Sequence, residues 1–173
     1  MIQRIQTVYL FALFAIGLIL IWQDPVYASF QGSKDPSSYV LMFWNSYAGS
    51  APVGINTVPE RCPNVISNGV NYGADWMTIV VSLSAMSVSI LSIFFFKNRK
   101  FQLKMVLGAT LLCVLILVVM LGRYYIFKWG HADFVGQLGI PLIWPGLMAI
   151  SGYMAYRGVK ADEEMVRSMD RIR

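Results

Sequence analysis

"MVLGATLLCVLILVVMLG", residues 105–122, carries no charge from end to end and is bracketed by Lys104 and Arg123. A helix rises about 1.5 Å per residue, so this stretch spans roughly 27 Å. That is close to the roughly 30 Å hydrocarbon core of a bilayer, and it makes the segment a candidate membrane helix. Strands are a poor alternative for it, because an open sheet edge leaves unpaired backbone groups in lipid. The same helix can run on through Arg123 to Phe127.

The rest of the chain agrees with that reading. Of its 173 residues, 57% are hydrophobic and only 13% are charged. A soluble domain has about 25% charged residues, and one this small leaves too much of its surface wet to bury so much apolar side chain. Two further charge-free runs are candidate spans, "IQTVYLFALFAIGLILIW" (5–22) and "WMTIVVSLSAMSVSILSIFFF" (76–96). A fourth is expected over 134–156, around "IPLIWPGLMAISGYMAY". The expected fold is an all-α integral membrane protein, a bundle of four transmembrane helices forming a single domain over 1–173. Its parts are spans at 5–22, 76–96, 105–127 and 134–156, an outer loop at 23–75 and a tail at 157–173.

Lysine and arginine give the orientation, since cytoplasmic loops carry an excess of them. With the N-terminus inside, the cytoplasmic set is Arg4, Lys97, Arg99, Lys100, Lys104, Arg157, Lys160, Arg167, Arg171 and Arg173. The outer set is Lys34, Arg61, Arg123 and Lys128. Both termini are therefore expected in the cytoplasm. A net charge of +5 raises nucleic acid as a partner, but the charges form no basic face and fit topology instead. "MIQR" followed by an apolar stretch and "VYAS" resembles a secretory signal with cleavage after Ala28. The stretch exceeds the usual signal core, so we read it as a retained first helix.

The outer loop is rich in Pro, Gly, Ser and Asn and holds Tyr27, Phe30, Tyr39, Phe43, Trp44 and Tyr47. A structureless loop of this length is uncommon, so a small folded cap is expected, with "SYVLMFW" (38–44) either a short strand or a surface-lying segment. Cys62 in this loop and Cys113 in the third span are too far apart to pair, and Cys62 is either a free thiol or an intermolecular link. Tyr124, Tyr125 and Trp129 suit an interfacial aromatic belt.

Chemistry is sparse. The span cores hold no ionisable group, whereas ion-coupled transporters keep such groups there. Arg123 either snorkels to the headgroups or bonds to Asp75 or Asp133. His131 reads as a solvated loop histidine. No nucleophile–base pair, phosphate loop, dinucleotide fingerprint or metal spacing is present. The expectation is no enzyme, no cofactor and no metal.

Packing signals are clearer. Ser82, Ala85, Ser89 and Ser92 recur at helical spacing in the second span, and Gly146, Ala149, Gly152 and Ala155 do so in the fourth. Gly108 and Ala109, and Ala12 and Ala15, are further small positions. Small residues allow close helix approach, either within the bundle or against a partner. Pro141 and Pro145 are expected to bend or unwind the outer half of the fourth span. In the tail, Asp162, Glu163 and Glu164 precede Arg167, Arg171 and Arg173, matching the helix dipole. Met165, Met169 and Ile172 share a face, and with Arg167 they are candidates for docking. The tail is expected to be a short amphipathic cytoplasmic helix over 162–172.

The opening "MIQRIQTVYL", the turn "FKNRKFQLK" and the close "KADEEMVRSMDRIR" resemble an uncharacterised family of small four-span membrane proteins from Bacteroidota, a domain of unknown function. The resemblance implies an inner-membrane address and carries over no activity and no catalytic residue. The expected role is that of a non-catalytic accessory or structural subunit of a larger inner-membrane complex. Its expected partners are the lipid bilayer and other integral membrane subunits, not nucleic acid. The alternative is binding or transport of a small hydrophobic molecule, a lipid or quinone, near the broken fourth span.

Overall fold

The computed structural model describes residues 2–32, 38–49, 70–95 and 98–172. Four α-helices, α1 (Ile2–Gln23), α2 (Trp76–Phe94), α3 (Arg99–Gly130) and α4 (Ile143–Ile172), are joined by a small antiparallel sheet. Its strands are β1 (Val26–Gly32), β2 (Ser38–Met42), β3 (Asn45–Gly49), β4 (Val70–Ala74) and β5 (Phe134–Leu138). The all-α expectation is thereby corrected to a mostly helical fold with a sheet.

Three helices are long and apolar enough to cross a membrane, Gln6–Gln23, Trp76–Phe94 and Arg99–Gly130. The fourth expected span is the one that changes. Phe134–Leu138 is strand β5, and Ile140–Leu142 is a 3-10 turn with proline in its first positions. Helix α4 begins only at Ile143. Of the two outcomes expected at Pro141 and Pro145, the outer half of the expected span is unwound, and the prolines lie where the helix starts, in keeping with proline's tolerance in a first turn. The apolar part of α4, residues 143–156, spans about 21 Å. At the other end α4 runs unbroken to Ile172. The tail is therefore the continuation of α4, not a separate short helix, because nothing between Tyr156 and Asp162 stops it.

The chain forms two compact units. One comprises Met1–Leu18, Val81–Ile116 and Pro145–Arg173 and, outside Phe95 and Asn98 between α2 and α3, is helical in its described residues. Leu10, Val106, Ala155 and Val159 form a buried cluster there, with Tyr9, Ile93, Leu103 and Tyr156 packed around it. The second unit, Ile19–Val80 and Leu117–Trp144, holds the sheet. Strand order is β4-β3-β2-β1-β5, with every neighbouring pair antiparallel. β1 to β4 form a meander from the loop after α1, and β5 arrives from the segment between α3 and α4 to pair with β1. Val26 to Phe30 are all buried, as a central strand requires. Ala28 sits in the middle of β1, so a cleavage after it would sever the strand.

Candidate functional site

At the ends of α1, α2 and α3 that adjoin the sheet, the first charges beyond the apolar runs are Asp24, Asp75 and Arg123, and the sheet-bearing unit gathers all three. Asp24 follows the last residue of α1 and adopts φ 41°, the left-handed conformation that commonly closes a helix. Its N–H still donates to Leu20 O (3.1 Å), and Pro25 prevents any continuation. Its carboxylate accepts the Trp44 N–H (2.9 Å) and the Asn45 side-chain amide (2.7 Å), which holds the β2–β3 turn onto the end of α1. Trp44 Nε1 adds a bond to Ile21 O (3.3 Å), and the Phe43 N–H bonds Pro25 O (3.1 Å).

Asp75 precedes α2 in the N-cap position. Its N–H donates to Trp44 O (2.7 Å), and its carboxylate accepts the Thr78 hydroxyl. Arg123 of α3 pairs with the same carboxylate at 3.3 Å, one of the two acids the sequence offered it. Its guanidinium also donates to the carbonyls of Met42, Phe43 and Asn45 at 3.3–3.4 Å. It lies 5.9 Å from the centre of the Tyr27 ring. The three helix ends and the β2–β3 turn are therefore fastened by one polar cluster. Burial holds the Tyr27 phenol above its ordinary value, and its hydroxyl has no hydrogen-bond partner among the described residues.

Beyond Arg123 the last two turns of α3 carry aromatics into the sheet. Phe30 of β1 stacks on Tyr124 (5.1 Å) and leans on Phe127 (4.4 Å), and Phe127 is itself stacked between Tyr39 (4.2 Å) and His131 (4.5 Å). Such pairs add about 0.5–1.5 kcal/mol each beyond the area they bury. Gly136 of β5 lies so close that a Cβ there would sit 2.6 Å from the Phe30 ring. The Tyr124 hydroxyl reaches Gly136 O at 3.3 Å. Of the expected aromatic belt, Tyr124 is thus buried, while Tyr125 and Trp129 are exposed at 60% and 90%. Trp22 and Trp76 also stand exposed, at the ends of α1 and α2 adjoining the sheet.

Burial pushes the Asp24 carboxyl above its ordinary value of 3.8, and the bonds from Trp44 and Asn45 and the charge of Arg123 offset only part of this. A raised native value means that the folded state holds the proton more tightly than the unfolded one. This contribution is fully present below the ordinary value and is lost as pH rises through the native value. Wild type should therefore lose stability relative to Asp24→Asn as pH is raised from 4 to about 8. Unfolding of both proteins in mild detergent across that range checks it, and a pH-independent difference would refute it.

The small residues of α2 are turned inward, with Ser82, Ala85, Ser89 and Ser92 at most 1% exposed. Ser89 donates to Met86 O (2.8 Å) and Ser92 to Ser89 O (2.6 Å), so these hydroxyls are satisfied within their own helix. On α4, Gly152 and Ala155 are buried, while Gly146 and Ala149 are half-buried. Met165 is 48% exposed. Arg167, Met169 and Ile172 lie on α4, but their side chains are outside the described residues, as is Cys62 with its surrounding loop. Among the described residues, no three His, Cys, Asp or Glu side chains are grouped so as to hold a metal ion.

What the sequence reasoning missed is the Asp24 clamp and strand β5. The "QDP" at 23–25 signalled the helix end but not what the carboxylate would hold. Gly136 and Gly139, ahead of Pro141, were the cues for a break before α4.

Among the described residues, three helices long and apolar enough to cross a membrane stand beside a clamped sheet built from two separate loops, the architecture a multi-pass membrane protein requires. The chain belongs to a family described as a domain of unknown function (DUF4293), whose model matches residues 2–172. No curated protein matches the chain.

Proposed function

We propose that this protein is a non-catalytic accessory or structural subunit of a larger assembly in a bacterial inner membrane. The observation that carries this reading is the use made of the ionic groups where the sheet meets the helix ends. Asp24, Asp75 and Arg123 are spent on one another and on the β2–β3 turn. That arrangement suits holding a sheet in a fixed pose better than turning over a substrate. Apolar side chains such as Val80, Leu83, Leu111 and Val118 meanwhile line the helix exteriors, available to lipid or to a neighbouring subunit.

In this reading both termini are cytoplasmic and the sheet stands on the outer side, in keeping with the excess of lysine and arginine at the other ends of the helices. Helix α4 crosses as the fourth span despite its short apolar part, with Trp144 at one membrane interface and Arg157 at the other. The distinctive chain ends support an address in Bacteroidota. The alternative, a lipid or quinone site beside the break at Pro141–Pro145, draws on that break alone.

The test is extraction of the native protein into lipid discs formed directly from cells, followed by sizing and identification of what accompanies it. A particle holding the 19.5 kDa chain with another integral membrane protein in fixed ratio is expected. A lone monomer that moves or converts a hydrophobic substrate would overturn the proposal.

A further inference from the structure

We propose that the first turns of α3 and the corresponding stretch of α4 hold anionic lipid head groups through Lys100, Lys104 and Arg157. Among the described residues, the cations in this part of the chain fall into two groups. Arg99 is committed to Asp162, with a 2.6 Å ion pair and a further bond to its backbone carbonyl at 3.2 Å. Lys160 faces Glu164 at 4.0 Å. Lys100, Lys104 and Arg157 are exposed, and among the described residues no carboxylate lies within ion-pair reach of them.

Their helical positions name the occupant. Lys100 and Lys104 lie one turn apart on a face that continues into Leu107 and Leu111, which are 43% and 61% exposed. Arg157 lies one turn beyond Tyr153, which is 53% exposed on the face that α4 shares with Ile150. Each cation therefore ends an outward apolar stripe of its helix. The layer directly beyond the hydrocarbon is that of the phosphates, where an anionic surface attracts a basic residue. The long stems of these side chains lie along the apolar stripe while the charged heads reach the phosphates. Charge complementarity thus selects an anionic leaflet over an acidic protein, which has no reason to contact residues aligned with acyl chains. This head-group binding rests on the proposed crossing of the membrane by α3 and α4 and does not depend on the subunit proposal.

The test compares the intact chain in discs of phosphatidylcholine alone and of phosphatidylcholine with about one third phosphatidylglycerol. Wild type is expected to unfold several degrees higher in the anionic discs, with the gap shrinking as ionic strength is raised from about 0.05 to 0.5 M. The triple variant Lys100→Gln, Lys104→Gln, Arg157→Gln should unfold like wild type in phosphatidylcholine and lose the gap. Lys128→Gln, at the other end of α3, should keep it. Equal unfolding of wild type in both discs overturns the proposal without any variant, and so does a triple variant that retains the full gap. If the triple variant fails to fold, native mass spectrometry decides between the same outcomes. Wild type should retain phosphatidylglycerol in preference to phosphatidylcholine, and Lys104→Gln should retain less. Loss of that preference in wild type counts against the proposal.

Discussion

Replacing Arg123 with methionine is expected to lower stability by about 3 kcal/mol, the range found when one member of a largely buried ion pair is removed. The side chains of Arg123 and Asp75 are only 18% and 23% exposed, so solvent cannot take over the lost interaction. The variant leaves Asp75 without its cation and three carbonyls of the β2–β3 turn without their donor. Each of those bonds is long, but they converge on one planar group that methionine fills in volume and not in charge. Arg123→Lys should recover only part of the loss, because an ammonium cannot reproduce the guanidinium fork. Denaturant unfolding in mild detergent measures the effect. A double-mutant cycle with Asp75→Asn should show strong non-additivity. A loss below about 1 kcal/mol, the level of an exposed pair, would mean that the cluster does not fasten the sheet.

An effect of similar size is expected at Gly152, in the other unit. A Cβ at this position would lie 2.6 Å from Thr110 Oγ1 and 3.3 Å from Leu13 Cδ1. The threonine cannot step aside freely, since its hydroxyl donates to Val106 O at 2.9 Å. Gly152→Leu should therefore force the helices apart and cost about 3 kcal/mol or more, at the upper end of what overpacking produces. Ser89→Leu belongs in the same class, with a fully buried site and a hydroxyl already bonded to Met86 O. Gly108 is the control, because nothing lies within 4 Å of a Cβ built there. Gly108→Leu should be tolerated, and size-exclusion profiles with thermal unfolding in detergent separate the cases. Equal behaviour of Gly152→Leu and Gly108→Leu would show that the two small residues are not distinguished by packing.

These two predictions also mark what the sequence could and could not convey. Three spans were legible because charge-free length is a one-dimensional property, set by bilayer thickness. The helical spacing of the small residues was legible too, and the fold buries all four on α2 but on α4 only Gly152 and Ala155. Which glycine is crowded and which is free was not legible, because Gly108 and Gly152 differ only in what lies opposite. Strand β5 was absorbed into the fourth span, since a short apolar run looks alike as strand or helix. Only its pairing with β1 decides the matter. Arg123 and Asp75 were visible as flanking charges, but the sequence left Arg123 a choice of head groups, Asp75 or Asp133, and only the fold selects Asp75. Asp24 was invisible as a clamp because its partners are a backbone N–H and an amide brought near by the register of β2 and β3. The tail's charge order signalled a helix correctly, but continuity with α4 depends on the absence of a stop, a weaker cue than the presence of one.

The position of β5 beside β1 has a consequence for biosynthesis. Their register joins Ala28 to Leu138 and Phe30 to Gly136, so β1 emerges from the ribosome long before its second neighbour exists. At 5–20 residues per second the wait is on the order of ten seconds. During that interval one edge of β1 is an open template for any extended segment nearby. The Arg123 donor is missing too, since it lies on a helix not yet made. The meander therefore reaches its final pairing only after α3 and β5 have been made. A chain that stops before β5 leaves the sheet one strand short and the edge of β1 open.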